Sequence, residues 1–158
     1  MALVDNSYLD CFMGLLFRYA NSLCYKRDNA MKTYIYLASP YTAFKEDANY
    51  DEELMQERYD AVVRCYHKLV SAGLTIFCPI AMTRKIDCLN KDLYGDRIPT
   101  SFWYEFDKPF IQFASQLFVL KLPGWRDSEG LFKEIDIATA RKIPVTYLEF
   151  IPFDENCP

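Results

Sequence analysis

The stretch from Leu117 to Glu134, LFVLKLPGWRDSEGLFKE, constrains the fold of this chain more than any other. Leu117, Phe118, Val119 and Leu120 form an unbroken apolar run. A strand is apolar at successive residues when both of its faces are covered. Pro123 and Gly124 end the run, and Ser128 stands where a helix N-cap belongs. The first N–H groups of such a helix lack internal partners and favour an anion. Glu134 then falls about one and a half turns into the helix. A buried strand, an anion-holding turn and a helical acid together outline an active site.

The rest of the chain supplies the partners that a doubly covered strand requires. Thr33 to Ala38 (TYIYLA) is a β-rich run ended by Ser39 and Pro40. A helix is predicted over roughly Asp51 to Ala72, where Leu54, Ala61, Val62, Cys65, Leu69 and Val70 trace one apolar face and Gly73 follows as a C-terminal cap. Leu74 to Cys78 reads as a second strand, closed by Pro79. Ile80 to Pro99 shows no clear period and is long for a connection, so it is either a functional loop or partly helical. Ser101 to Ala114 reads as a helix, with Pro109 either kinking it or marking its true start. A helix from Ser128 to Lys142 and a strand from Val145 to Glu149 complete the pattern.

This alternation predicts a single-domain α/β fold, a Rossmann- or flavodoxin-like three-layer sandwich around a mainly parallel sheet of about four to five strands. The domain is expected to span residues 31–150. An N-terminal extension (1–30) precedes it and a C-terminal tail (151–158) follows. Within the extension Leu9, Phe12, Met13, Leu16, Phe17 and Ala20 recur at helical spacing and predict an amphipathic helix that docks on the domain or on another subunit. A weakly ordered extension is the rival, because Met31 stands directly before the first strand. Asp5 and Asp10, with no basic n-region, argue against a signal peptide, and the segment is too interrupted to span a bilayer.

Composition narrows the function. The formal charge is −4 and no dense Lys/Arg block is present, which disfavours a nucleic-acid duplex or an anionic membrane as partner. The six cysteines include no CxxC pair and the only histidine is His67, so no metal site is expected. Free thiols and a cytoplasmic location are the plain reading. There is no GxGxxG, GxxxxGK[ST] or GxSxG motif, which removes support for dinucleotide, P-loop and α/β-hydrolase chemistry. No cofactor is expected.

Right-handed crossovers bring the C-terminal ends of parallel strands to one edge, where ligands bind in open α/β sheets. That edge collects the segment from Tyr36 to Tyr41, the loop after Cys78, and the loop from Trp125 to Ser128. Glu134 is the leading nucleophile or base, since a carboxylate can attack an anomeric carbon without a metal. Its bland alternative is a solvated helix glutamate beside Lys133. Asp107 lies in an apolar segment where a carboxyl group can hold its proton and donate it; the alternative is an N-cap ahead of a helix starting near Pro109. Ser128, with Arg126 and the neighbouring N–H groups, can hold a phosphate, or Ser128 can merely cap its helix. Tyr36 and Tyr41 can stack on a base or bond a sugar or a carboxylate.

Four motifs in order, IYLASPY (Ile35 to Tyr41), FCPI (Phe77 to Ile80), FDKPFI (Phe106 to Ile111) and LPGWRDSEGLFKE (Leu122 to Glu134), resemble the nucleoside 2-deoxyribosyltransferase superfamily. The likeness covers Met31 to about Glu149 and is nearest to small members with an LPGWRDS-type loop. It implies that Glu134 is the nucleophile, Asp107 protonates or positions the base, and Tyr36 orients the glutamate. Ser39, Tyr41, Pro79, Trp125, Arg126, Ser128 and Gly130 are the implied substrate-binding residues. Deoxyribosyltransferases carry an aspartate at the position of Ser128, whereas the related deoxynucleoside 5′-monophosphate N-glycosidases carry a serine. Met82 and Thr83 depart from a histidine-containing stretch in many relatives. The resemblance therefore implies hydrolysis of the N-glycosidic bond of a (deoxy)nucleoside 5′-monophosphate, with base transfer or nucleotide binding without turnover as alternatives, in a homo-oligomer.

Overall fold

The computed structural model describes residues 34–150. The expected N-terminal helix and the C-terminal tail lie outside the described residues. Strands β1 (Ile35–Ala38), β2 (Ile76–Phe77), β3 (Gln116–Lys121) and β4 (Val145–Glu149) form one parallel four-stranded sheet in the order β2-β1-β3-β4. Helices α1 (Glu52–Ser71), α2 (Pro79–Tyr94), α3 (Thr100–Phe113) and α4 (Glu129–Ala140) alternate with the strands. The fold is α/β, with the expected parallel sheet.

The two faces of the sheet account for the apolar run in β3. Phe118 and Leu120 pack with Ile35 and Leu37 of β1 against Ala61, Val62 and Leu69 of α1. Leu117 and Val119 point the other way, joining Tyr36 and Ala38 of β1 against Ile111 of α3 and Leu131 and Ala138 of α4. None of Leu117 to Leu120 is more than 2% exposed. Burying each such side chain contributes roughly 1.5–3 kcal/mol, which makes β3 the strand on which both layers depend.

Local chemistry sets the helix ends. Asp51 caps α1 by accepting from the Leu54 N–H at 3.1 Å, and Gly73 follows its C-terminus at φ +83°. Strand β2 is shorter than the run Leu74 to Cys78 suggested, because Cys78 is already the N-cap of α2 and Pro79 occupies its first turn. Proline is suited to that position, where its missing N–H has no helical partner to lose.

Helix α2 answers the open question about the segment from Ile80 to Pro99: most of it is helical, ending at Gly95 in the left-handed conformation. Its amphipathic pattern is inverted. Met82, Ile86, Leu89 and Leu93 recur at helical spacing yet are exposed, while the buried residues are Pro79 and Asp87. Asp87 accepts from Arg97 and from the Ile98 N–H at 3.0 Å, and Arg97 also reaches Glu52 of α1 at 2.5 Å. Burial works against the Arg97 charge, but these two partners hold it above the ordinary arginine value. One ion-pair knot thus fastens α1, α2 and the turn before α3.

Helix α3 runs through Pro109 instead of starting there. Its aromatic side holds it in place: Phe110 stacks on Phe77 at 4.1 Å and the Tyr34 hydroxyl donates to the Phe110 carbonyl at 2.6 Å. Asp107 is therefore a mid-helix residue, and the N-cap reading of it is corrected. Among the described residues no helix is long and apolar enough to cross a membrane.

Candidate active site

From β1 the chain crosses to β2 on one side, and β3 lies on the other side of β1. The loops leaving the C-terminal ends of β1 and β3 diverge, and this switch point opens a cleft of about 540 Å³. Arg58 of α1 ties the two loops together. Its guanidinium donates to the Thr42 carbonyl after β1 at 2.9 Å and to the Pro123 carbonyl after β3 at 3.2 Å.

Tyr36 is fully buried in β1 and its ring packs on Phe77 at 5.6 Å. On α4, Glu134 lies where the Tyr36 hydroxyl donates to its Oε1 at 2.5 Å. The bond spans almost the whole domain in sequence and depends on β1 and α4 packing on the same sheet face. Burial, together with the charges of Glu134 and Asp107, keeps the Tyr36 hydroxyl protonated well above the usual tyrosine range.

Glu134 and Asp107 both line the cleft. Burial pushes Asp107 up to about 7. For Glu134, burial outweighs the Tyr36 bond, charge on Asp107 adds to it, and the value is pushed up to about 8. The two acids titrate as a pair near neutrality. Glu134 is the weaker acid of the two, so in the singly protonated state most of the proton rests on it; the Tyr36 donor works the other way, towards the tautomer with the carboxylate on Glu134 and the proton on Asp107. The Oδ1 of Asp107 is buried with no hydrogen-bond partner among the described residues, as is the Oγ of Ser39 in the same cleft. Buried polar atoms of this kind are ordinarily satisfied, and a ligand in the cleft can satisfy both.

The loop after β3 ends in a short 3-10 turn, Trp125–Asp127, entered through Gly124 at φ +78°. Ser128 caps α4 by accepting from the Leu131 N–H at 3.4 Å, and it also lines the cleft. Gly130 lies against Tyr104, where an added methyl group would sit 3.4 Å from the ring. Ser39, Tyr41 and Pro79 are cleft residues as well.

Trp125 and Arg126 are not brought into this arrangement. They are absent from the lining; Trp125 packs on Tyr147 at 5.6 Å and the Arg126 guanidinium lies 5.2 Å above the Trp125 ring. The 3-10 turn separates Arg126 from the cap residue that follows it so closely in sequence. Residues that sequence reasoning missed stand on α2: Thr83, Arg84 and Asp87 line the cleft. With Ile80 they follow the i, i+3, i+4, i+7 spacing of one helix face. That polar stripe was the available signal, hidden because the apolar stripe on the opposite face is the exposed one. Among the described residues no group of three or more His, Cys, Asp or Glu is placed to hold a metal ion.

The fold and cleft define a parallel α/β domain with two coupled acids and a buried tyrosine at its topological switch point. The chain belongs to the family described as a domain of unknown function, DUF1937, whose model matches residues 33–150. No curated protein matches it.

Proposed function

We propose that this protein cleaves the N-glycosidic bond of a nucleotide, a (deoxy)nucleoside 5′-monophosphate, in the manner of the nucleoside 2-deoxyribosyltransferase superfamily. The supporting observation is the Tyr36 hydroxyl on Glu134 Oε1 at 2.5 Å, with Asp107 lining the same cleft. Glu134 attacks C1′ as a carboxylate, forming a glycosyl ester as the bond to the base breaks. Asp107 gives its proton to the departing base, and Tyr36 holds the attacking oxygen in line. Water, giving a proton back to Asp107, then hydrolyses the ester, returning the Glu134 carboxylate and releasing the sugar phosphate. Ser128 and the N–H groups that open α4 offer donors to the phosphate.

The test is chromatographic: free base released from a panel of nucleotides by the native protein and by Glu134→Ala. Equal background rates from the two would end the glycosidase reading. If base appears only in exchanged form when a second base is supplied, transfer replaces hydrolysis. Tight calorimetric binding of an intact nucleotide without turnover would instead identify a binding module. Self-association belongs to the same proposal, supported by the exposed apolar stripe Met82, Ile86, Leu89 and Leu93 on α2. A monomer by light scattering at micromolar concentration would refute that part.

A further inference from the structure

A phosphomonoester carries close to two negative charges, and the Ser128 end of the cleft is poorly equipped to balance them. Ser128 is neutral, and a helix N-terminus supplies the equivalent of about half a positive charge. Asp127, next to Ser128, also lines the cleft and makes no ion pair among the described residues. The charge has to come from elsewhere in the cleft.

Among the described residues three cationic side chains line it: Arg84, Arg97 and Lys133. Arg97 is committed to Asp87 and Glu52, and Lys133 pairs with Glu129 at 2.6 Å. Arg84 has no carboxylate partner among the described residues. Its Nε donates to the Tyr41 hydroxyl at 3.3 Å, its Nη2 donates to Gln56 Oε1, and its guanidinium lies 4.2 Å from the Tyr59 ring. All of these partners are neutral. They fix the guanidinium plane without cancelling its charge, and they leave most of its five N–H donors for an incoming group. Tyr41 accepts from Arg84, so its own proton remains available on the same side of the cleft.

We propose that Arg84, with Tyr41 beside it, is the anion anchor of the cleft and selects a ligand that carries a phosphomonoester. This inference rests on the nucleotide reading of the same cleft, and it assigns the cationic role to α2 instead of to Arg126. Calorimetry on the full chain with 2-deoxyribose 5-phosphate, and with 2-deoxyribose as the uncharged control, tests it. The native protein is expected to bind the phosphate and not the free sugar. Arg84→Gln is expected to weaken phosphate binding by ~10–100-fold, the range for losing a charged hydrogen-bond partner. Arg84→Lys is expected to fall between, since it keeps the charge and loses the fork, and it carries the test if the glutamine variant fails to fold. Arg126→Gln is expected to bind as the native protein does.

Three results overturn the anchor: no phosphate binding by the native protein, unchanged binding by the Arg84 variants, or weakened binding by Arg126→Gln. Its failure is separable from failure of the glycosidase reading. Base release that is equally fast from nucleosides and from their 5′-monophosphates, and indifferent to Arg84, removes the anchor and leaves the chemistry. Arg84-dependent phosphate binding without base release keeps the anchor and removes the chemistry.

Discussion

Replacing Glu134 with glutamine is expected to stabilise the protein at alkaline pH while abolishing the proposed base release. Glutamine keeps the shape of the side chain and an oxygen to accept from Tyr36, and it removes only the ionisable proton. The carboxyl group is pushed from an ordinary 4.5 up to about 8 by burial, against the Tyr36 bond and with the charge of Asp107. A value raised in the folded state means that stability is fully present below about pH 4.5 and is lost as pH rises towards 8, because the folded protein holds a proton that the unfolded chain releases. At about 1.4 kcal/mol per pH unit the gap sets a ceiling of roughly 5 kcal/mol. The cleft is open to water, so the realised penalty is expected nearer ~2 kcal/mol. Glu134→Gln should therefore melt close to the native protein at pH 5 and roughly 4–8 °C above it at pH 9, using the entropy of unfolding for a domain of this size. Thermal denaturation followed by circular dichroism at both pH values measures the difference. A melting difference that does not change with pH would show that Glu134 ionises without penalty, and the coupled-acid picture would fail.

Other consequences can be checked alongside. The proposed reaction needs Glu134 ionised and Asp107 protonated, so kcat/KM for base release should be bell-shaped with limbs near 7 and 8; Asp107→Asn should lose the alkaline limb. Tyr36→Phe keeps the ring against Phe77 but removes the donor to Glu134, so its acidic limb should move up while its urea stability changes by only about 1 kcal/mol. An unmoved limb would mean that Tyr36 does not govern the glutamate. Arg97→Met should cost roughly 3–5 kcal/mol in urea titrations, because Asp87 is left buried without its cation. Phe118→Ala should cost about 3–5 kcal/mol as well, since its ring fills the layer between β3 and α1; a loss below 1 kcal/mol would show that this layer is loosely packed.

Legibility in the sequence followed burial. β3 was readable because a strand between two helical layers is apolar on both faces, and α1 was readable because Ala61, Val62 and Leu69 line its buried face, although Val70, read onto that face, is exposed. α2 was not, because its inward stripe is polar and its outward stripe apolar, so hydropathy points away from the domain. Asp107 was ambiguous for a related reason. Pro109 signals a helix start on local grounds, and tertiary contacts, the stacking of Phe110 on Phe77 and the Tyr34 hydroxyl on the Phe110 carbonyl, carry the helix through it.

The sequence by itself determined the order of the strands, the parallel α/β class and the residues able to cap, turn and titrate, because these depend on neighbours a few positions apart. Tertiary structure alone decided which of them meet. Tyr36 reaches Glu134 because alternate residues of β1 face α4, and two acids far apart in sequence come near enough for the charge on Asp107 to raise Glu134. Arg126 and Arg84 show the same thing from opposite sides. The arginine beside Ser128 in the chain turns away onto Trp125, and the distant one enters the cleft, because a 3-10 turn and a helix face set direction where sequence distance cannot.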